Sequence, residues 1–120
     1  MVTLWLPFGN RMVTVKQTQS QAIFRAIADP TRRQILGLLR AGPLAVGELA
    51  AHFETSRPAI SKHLRALKSA GLISAHPRGT ANVCQLNAQP LRAVNDWLRD
   101  YRVFWKSSLR DLKKYLEEDP

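Results

Sequence analysis

The chain is short of almost everything that catalysis, metal binding or membrane insertion requires. It has one cysteine, Cys84, so no intramolecular disulfide framework is available, and a lone thiol fits a reducing cytoplasm. No apolar run approaches the ~20 residues needed to span a bilayer. Residues 1–10 are mildly apolar but lack the basic start and unbroken apolar core of a signal peptide. The stretch from Gly42 to Gly47 is not followed by Gly-Lys-Ser/Thr, which removes the phosphate loop of nucleotide-binding enzymes. Carboxylates cluster only at Glu117-Glu118-Asp119, and no Ser/His/Asp or Cys/His spacing is legible, so no catalytic residue and no cofactor are expected. The histidines, His52, His63 and His76, are scattered without the spacing of a ligand set, and no metal site is expected.

The most informative absence is that of acids. Residues 55–95 contain no Asp or Glu, yet they hold Arg57, Lys62, Arg65, Lys68, Arg78 and Arg92. Residues 96–120 are balanced by contrast. The formal charge of +9 over 120 residues is therefore concentrated in one segment. The total charge suits a polyanion, either nucleic acid or an anionic membrane surface, and its concentration in one segment is what a footprint on nucleic-acid phosphates looks like.

Helical periodicity begins near Ser20. Ile23, Ala26 and Ile27, with Phe24 beside them, predict a first helix over about 18–28. Asp29-Pro30 reads as an N-cap with proline at the first helical position. Ile35, Leu38 and Leu39 give that second helix its apolar face, and Ala41-Gly42-Pro43 ends it. A short extended piece over 44–46 leads into a third helix over 46–53. Ser56-Arg57-Pro58 repeats the start signal, Ile60, Leu64 and Leu67 share one face, and Gly71 closes the fourth helix. Two helices joined by so short a turn form a helix-turn-helix.

Residues 72–76 and 82–86 then alternate like strands around the turn Pro77-Arg78-Gly79-Thr80, giving a hairpin, or wing. Alternation puts Cys84 on the face of Leu86, the expected core side, where a lone thiol acts as a small hydrophobe. Pro90 opens the last helix. Along it Leu91, Val94, Leu98, Tyr101, Trp105, Leu109, Leu112 and Leu116 recur at steps of three and four, a seam of the kind that pairs helices. The aromatic residues Trp97, Tyr101, Phe104 and Trp105 fit the same packing. The expected fold is mainly α with a small β-hairpin, in one domain over 18–120. Residues 1–17 are expected to be an extension: disordered, translated from too early a start with Met12 as the later one, or a functional arm.

These residues resemble the ArsR-type winged helix-turn-helix repressors. The resemblance is carried by Ala28-Asp29-Pro30-Thr31-Arg32-Arg33-Gln34-Ile35-Leu36, by Ser56-Arg57-Pro58-Ala59-Ile60-Ser61-Lys62-His63-Leu64, by Leu67-Lys68-Ser69-Ala70-Gly71-Leu72-Ile73, and by the wing around Arg78-Gly79. It implies five helices with the wing between the fourth and fifth, a symmetric dimer through the first and last helices, and operator binding that blocks transcription. Metal-sensing members carry a cysteine pair in the third helix or His and acidic ligands on the last. Here Glu48-Leu49-Ala50-Ala51-His52-Phe53 has no cysteine and the last helix no histidine, so the chain resembles the branch without these ligands.

Projected at 100° per residue, the fourth helix turns Pro58, Lys62, Arg65 and Ser69 away from its apolar face, with Arg57, Ser61 and Lys68 on one flank. Arg57, Ser61, Lys62 and Arg65 are expected to face the major groove of double-stranded DNA, and Lys68 and Arg78 its phosphates. The expected dimer face is Ile23, Ile27, Leu91, Val94, Leu98, Tyr101, Trp105, Leu109 and Leu112. The same charge would also suit a non-specific architectural DNA binder, an RNA binder or a basic scaffold for acidic proteins. The effector, if one exists, is not named by the sequence.

Overall fold

The computed structural model describes residues 3–6 and 11–118, with side chains from Thr18 onward. The element order is β1 (Thr3–Leu6), β2 (Arg11–Thr14), α1 (Val15–Ile27), α2 (Pro30–Leu39), β3 (Leu44–Ala45), α3 (Val46–Ala50), α4 (Arg57–Ser69), β4 (Ile73–Arg78), β5 (Ala81–Leu86), a 3₁₀ turn (Gln89–Leu91) and α5 (Arg92–Glu118). This is a winged helix-turn-helix, mainly helical with a small antiparallel sheet. β1 and β2 pair antiparallel, Thr3 opposite Thr14, within the stretch that the sequence reading left as an extension. Residues 1–2 and 7–10 of that stretch lie outside the described residues. The β-branched and aromatic residues Thr3, Trp5, Val13 and Thr14 suit strands, and α1 starts at Val15 rather than near Thr18.

Local chemistry explains the helix boundaries. Asp29 Oδ1 accepts the Arg32 backbone N–H at 3.1 Å and caps α2. That hydrogen bond, partly offset by desolvation and helped by the nearby His63, holds the Asp29 carboxyl below its ordinary range. Arg33 reaches back, its Nη1 donating to the carbonyls of Ile27 at 2.8 Å and Ala28 at 3.1 Å. The string Asp29-Pro30-Thr31-Arg32-Arg33 thus ends one helix and starts the next, placing a cation on the unsatisfied carbonyls of α1. At α4 the Ser56 Oγ accepts the Ala59 N–H at 3.3 Å. Gly71, at φ +78°, supplies the left-handed residue after α4.

The wing is larger than a hairpin. Strand order is β3-β5-β4, with Leu44 opposite Cys84 and Ile73 opposite Leu86. β4 continues through Pro77, which the sequence reading had placed in the turn. An edge strand tolerates a residue without an N–H. The turn itself is Gly79-Thr80, between the paired Arg78 and Ala81, with Gly79 at φ +64° as a tight hairpin requires.

The core gathers Ile35, Leu36 and Leu39 of α2, Leu49 of α3, Ile60, Leu64 and Leu67 of α4, and Leu72, Ile73 and Cys84 of the sheet region. Ile23 and Ala26 of α1 complete it. Ile23 was expected to cover a partner chain, but it is 3% exposed and belongs to the chain's own core. A helical period reveals an apolar face without saying which body covers it.

Removing the α4 cap tests this reading of the boundary. Ser56→Ala should cost about 1 kcal/mol, seen as a lower urea midpoint with an unchanged slope. An unchanged midpoint would show that the hydroxyl does not anchor α4.

Candidate nucleic-acid interface

The rotation of α4 about its axis is set by its buried edge. Ile60 and Leu67 are fully buried and Leu64 nearly so, and side chains on the opposite edge must face outward. Pro58, Lys62, Arg65 and Ser69 are exposed there, as are the flanking Arg57 and Lys68. Ser61 is half-buried, on the flank next to the wing. Arg78 is exposed at the end of β4, one residue from the wing turn. No ion pair holds Lys62, Arg65, Lys68 or Arg78 among the described residues. α4 and the wing therefore present cations on a surface whose own segment contains no carboxylate.

The structure separates the expected DNA-binding residues into two groups. Arg57 and Ser61 line a cleft of about 490 Å³ between the start of α4 and the wing. Lys62, Arg65, Lys68 and Arg78 lie outside its lining. The same cleft includes Ala45, Val46, Gly47, Thr80, Ala81 and Asn82, none of which the sequence reading singled out. These residues are small or polar and without periodicity. They meet where α3, α4 and the wing strands converge.

Behind this surface α4 is tied to the start of α2. His63 Nδ1 lies 3.9 Å from Asp29 Oδ1, an ion pair when the imidazole is protonated. His52 Nδ1 donates to the Glu48 carbonyl at 2.9 Å. Cys84 is 1% exposed, and burial pushes its thiol above the ordinary value against the opposing charge of Lys68. That environment suppresses the reactive thiolate. Among the described residues no three His, Cys, Asp or Glu side chains gather as a metal-binding group, and no helix is long and apolar enough to cross a membrane.

The second surface lies on α5. Its 27 residues make a helix about 40 Å long. Its start packs on the body, with Leu91 of the preceding 3₁₀ turn and Val94 of its first turn partly buried against the core. Trp97 meets Phe24 of α1 edge to face, ring centroids 5.5 Å apart, and Tyr101 at 5.3 Å. Beyond that point the apolar seam is uncovered, with Trp105 53%, Leu109 66% and Leu112 54% exposed. Ile27 is half-buried against the chain's own core, so α1 offers less free surface than its sequence suggests.

Comparison with known proteins agrees with this architecture. Residues 29–75 match the family model described as bacterial regulatory protein, arsR family. The chain is 43% identical over 79 residues to the transcriptional repressor SdpR of Bacillus subtilis, covering 66% of this chain and 88% of that protein. It is 42% identical over 96 residues to the HTH-type transcriptional regulator Rv2034 of Mycobacterium tuberculosis, covering 80% and 87% respectively. A crystal structure of an ArsR family transcriptional regulator superposes with a TM-score of 0.67 at 40% identity, over 76% of this chain and 94% of the other. With its winged helix-turn-helix fold and these relatives, the chain belongs to the ArsR family of bacterial regulatory proteins and is a DNA-binding regulator of transcription.

Proposed function

We propose that the protein is a homodimeric repressor, acting in the cytoplasm, that binds a palindromic operator through α4 and blocks transcription of its own or neighbouring genes. The observation that carries this reading is the outward face of α4, with Lys62 and Arg65 projecting opposite the buried Ile60, Leu64 and Leu67. Pro58 completes the groove-facing surface, and Ser61 lies at its edge, on the flank next to the wing. Lys68 at the end of α4 and Arg78 on the wing hold the phosphates on either side. The likeness to a relative named as a transcriptional repressor supports repression.

Dimerisation follows from the uncovered seam of α5. Leu98, Tyr101, Trp105, Leu109 and Leu112 pair with the same residues of a second copy, and Ile27 borders them. Burying one such side chain contributes about 1.5–3 kcal/mol, so several together offset the entropy of association. Two copies then present their recognition helices to half-sites about 34–36 Å apart.

Two experiments test this reading. Leu109→Glu replaces a residue that is 66% exposed in the single chain, so the fold should survive. Sedimentation should change from dimer to monomer, and tight operator binding should be lost with it. A wild-type protein that sediments as a monomer at micromolar concentration would remove the dimer.

Lys62→Ala should cost about 1–3 kcal/mol on the operator with less change on random duplex, because groove contacts discriminate between sequences. Lys68→Ala should weaken both duplexes alike. Equal wild-type affinity for operator and random duplex would instead indicate an architectural binder without sequence preference.

A further inference from the structure

We infer that the cleft between α4 and the wing seats one sugar-phosphate strand of the duplex, with Arg57 as its phosphate clamp rather than a reader of bases. This rests on the DNA-binding reading of α4 and assigns Arg57 a different part from Lys62 and Arg65.

The cleft, of about 490 Å³, runs between three chain segments. Gly47 lies on the α3 side, Arg57 and Ser61 on α4, and Thr80, Ala81 and Asn82 on the wing. Its side-chain chemistry is that of an anion site: one guanidinium, two hydroxyls and one carboxamide, with no carboxylate in the lining. The nearest acid in sequence, Glu48, is engaged, its Oε1 accepting the Ala45 N–H at 3.0 Å. The larger cleft, about 920 Å³ between α1, the end of α4 and the start of α5, differs in carrying Asp96.

The direction of Arg57 decides its role. A Cβ added to Gly47 would lie 3.9 Å from Arg57 Nη2. The guanidinium therefore lies beside the first turn of α3, at the cleft. No hydrogen bond or ion pair engages it among the described residues, so its donors are available to a ligand. Small residues keep the gap open on both sides, Gly47 on one and Ala81 on the other. A helix in the major groove and a wing against the neighbouring backbone leave a strand of phosphates between them. This cleft is where such a strand would pass.

The test compares wild type, Arg57→Ala, Arg57→Lys, Ala81→Tyr and Lys62→Ala, each first checked for an unchanged helical spectrum. The wild type selects binding sequences from a randomised duplex pool. Each variant is then titrated with a selected and an unselected duplex from ~50 to ~200 mM salt. Arg57→Ala should weaken both duplexes by the same factor and reduce the salt slope by about one unit. Repeating the selection with Arg57→Ala should return the wild-type consensus, whereas Lys62→Ala should blur it. Arg57→Lys should restore most of the slope, since a point charge serves a phosphate but does not replace a bidentate base contact. Ala81→Tyr, at an exposed strand position, should narrow the cleft and weaken both duplexes alike.

A changed consensus for Arg57→Ala, or loss confined to the selected duplex, would make Arg57 a base reader and overturn the inference. So would an unchanged salt slope, or wild-type binding by Ala81→Tyr. Failure of the wild type to bind any duplex would overturn the DNA-binding reading itself, and the clamp with it.

Discussion

The surface that α4 presents depends on how Ile60, Leu64 and Leu67 lock that helix into the core. These three side chains lie at i, i+4 and i+7, and their burial fixes the helix against rotation. A rotation of 100° would carry Lys62 and Arg65 off the surface they share and bring carbon stems where cations stand. The core is small, and it is assembled from short elements held by caps: Asp29 and Arg33 between α1 and α2, and Ser56 at α4. Each cap spends a polar side chain on backbone groups that would otherwise be unsatisfied. Among the described residues no ion pair engages the lysines and arginines of α4, which leaves them available to an external anion.

The other consequence of a small core is surplus. A 27-residue helix cannot bury its whole apolar seam on a body of this size. The structure shows where coverage stops: Trp97 is matched by Phe24, and beyond Tyr101 the seam is bare. A bare seam of Trp, Leu and Phe is costly in water. The proposed dimer removes that cost and at the same time sets the distance between two copies of α4. Stability and DNA recognition are then linked through one helix.

Much of this was legible in the sequence because it is local. Helix starts at Asp29-Pro30 and Ser56-Arg57-Pro58, the stop at Gly71 and the α4 apolar face all rest on interactions within a few residues. What depends on topology was not legible. β3 is two residues long and has no period to detect, yet it turns the hairpin into a three-stranded sheet. The cleft beside Arg57 does not show on a helical projection, because a projection ignores α3 and the wing packed beside that flank. Ile23 looked available to a partner because its own core was invisible until α1 was placed. The strands β1 and β2 are four residues each, too short to show a period in the sequence.

The central claim is that two α4 helices, held by paired α5 helices, enter successive major grooves on one face of the duplex. Guanine N7 lies in the major groove, so its methylation by dimethyl sulfate reports directly on occupancy there. On a duplex selected by the wild-type protein, the account predicts two protected patches centred about 10–10.5 base pairs apart. A single patch, unbroken protection along the duplex, or none at all would contradict it.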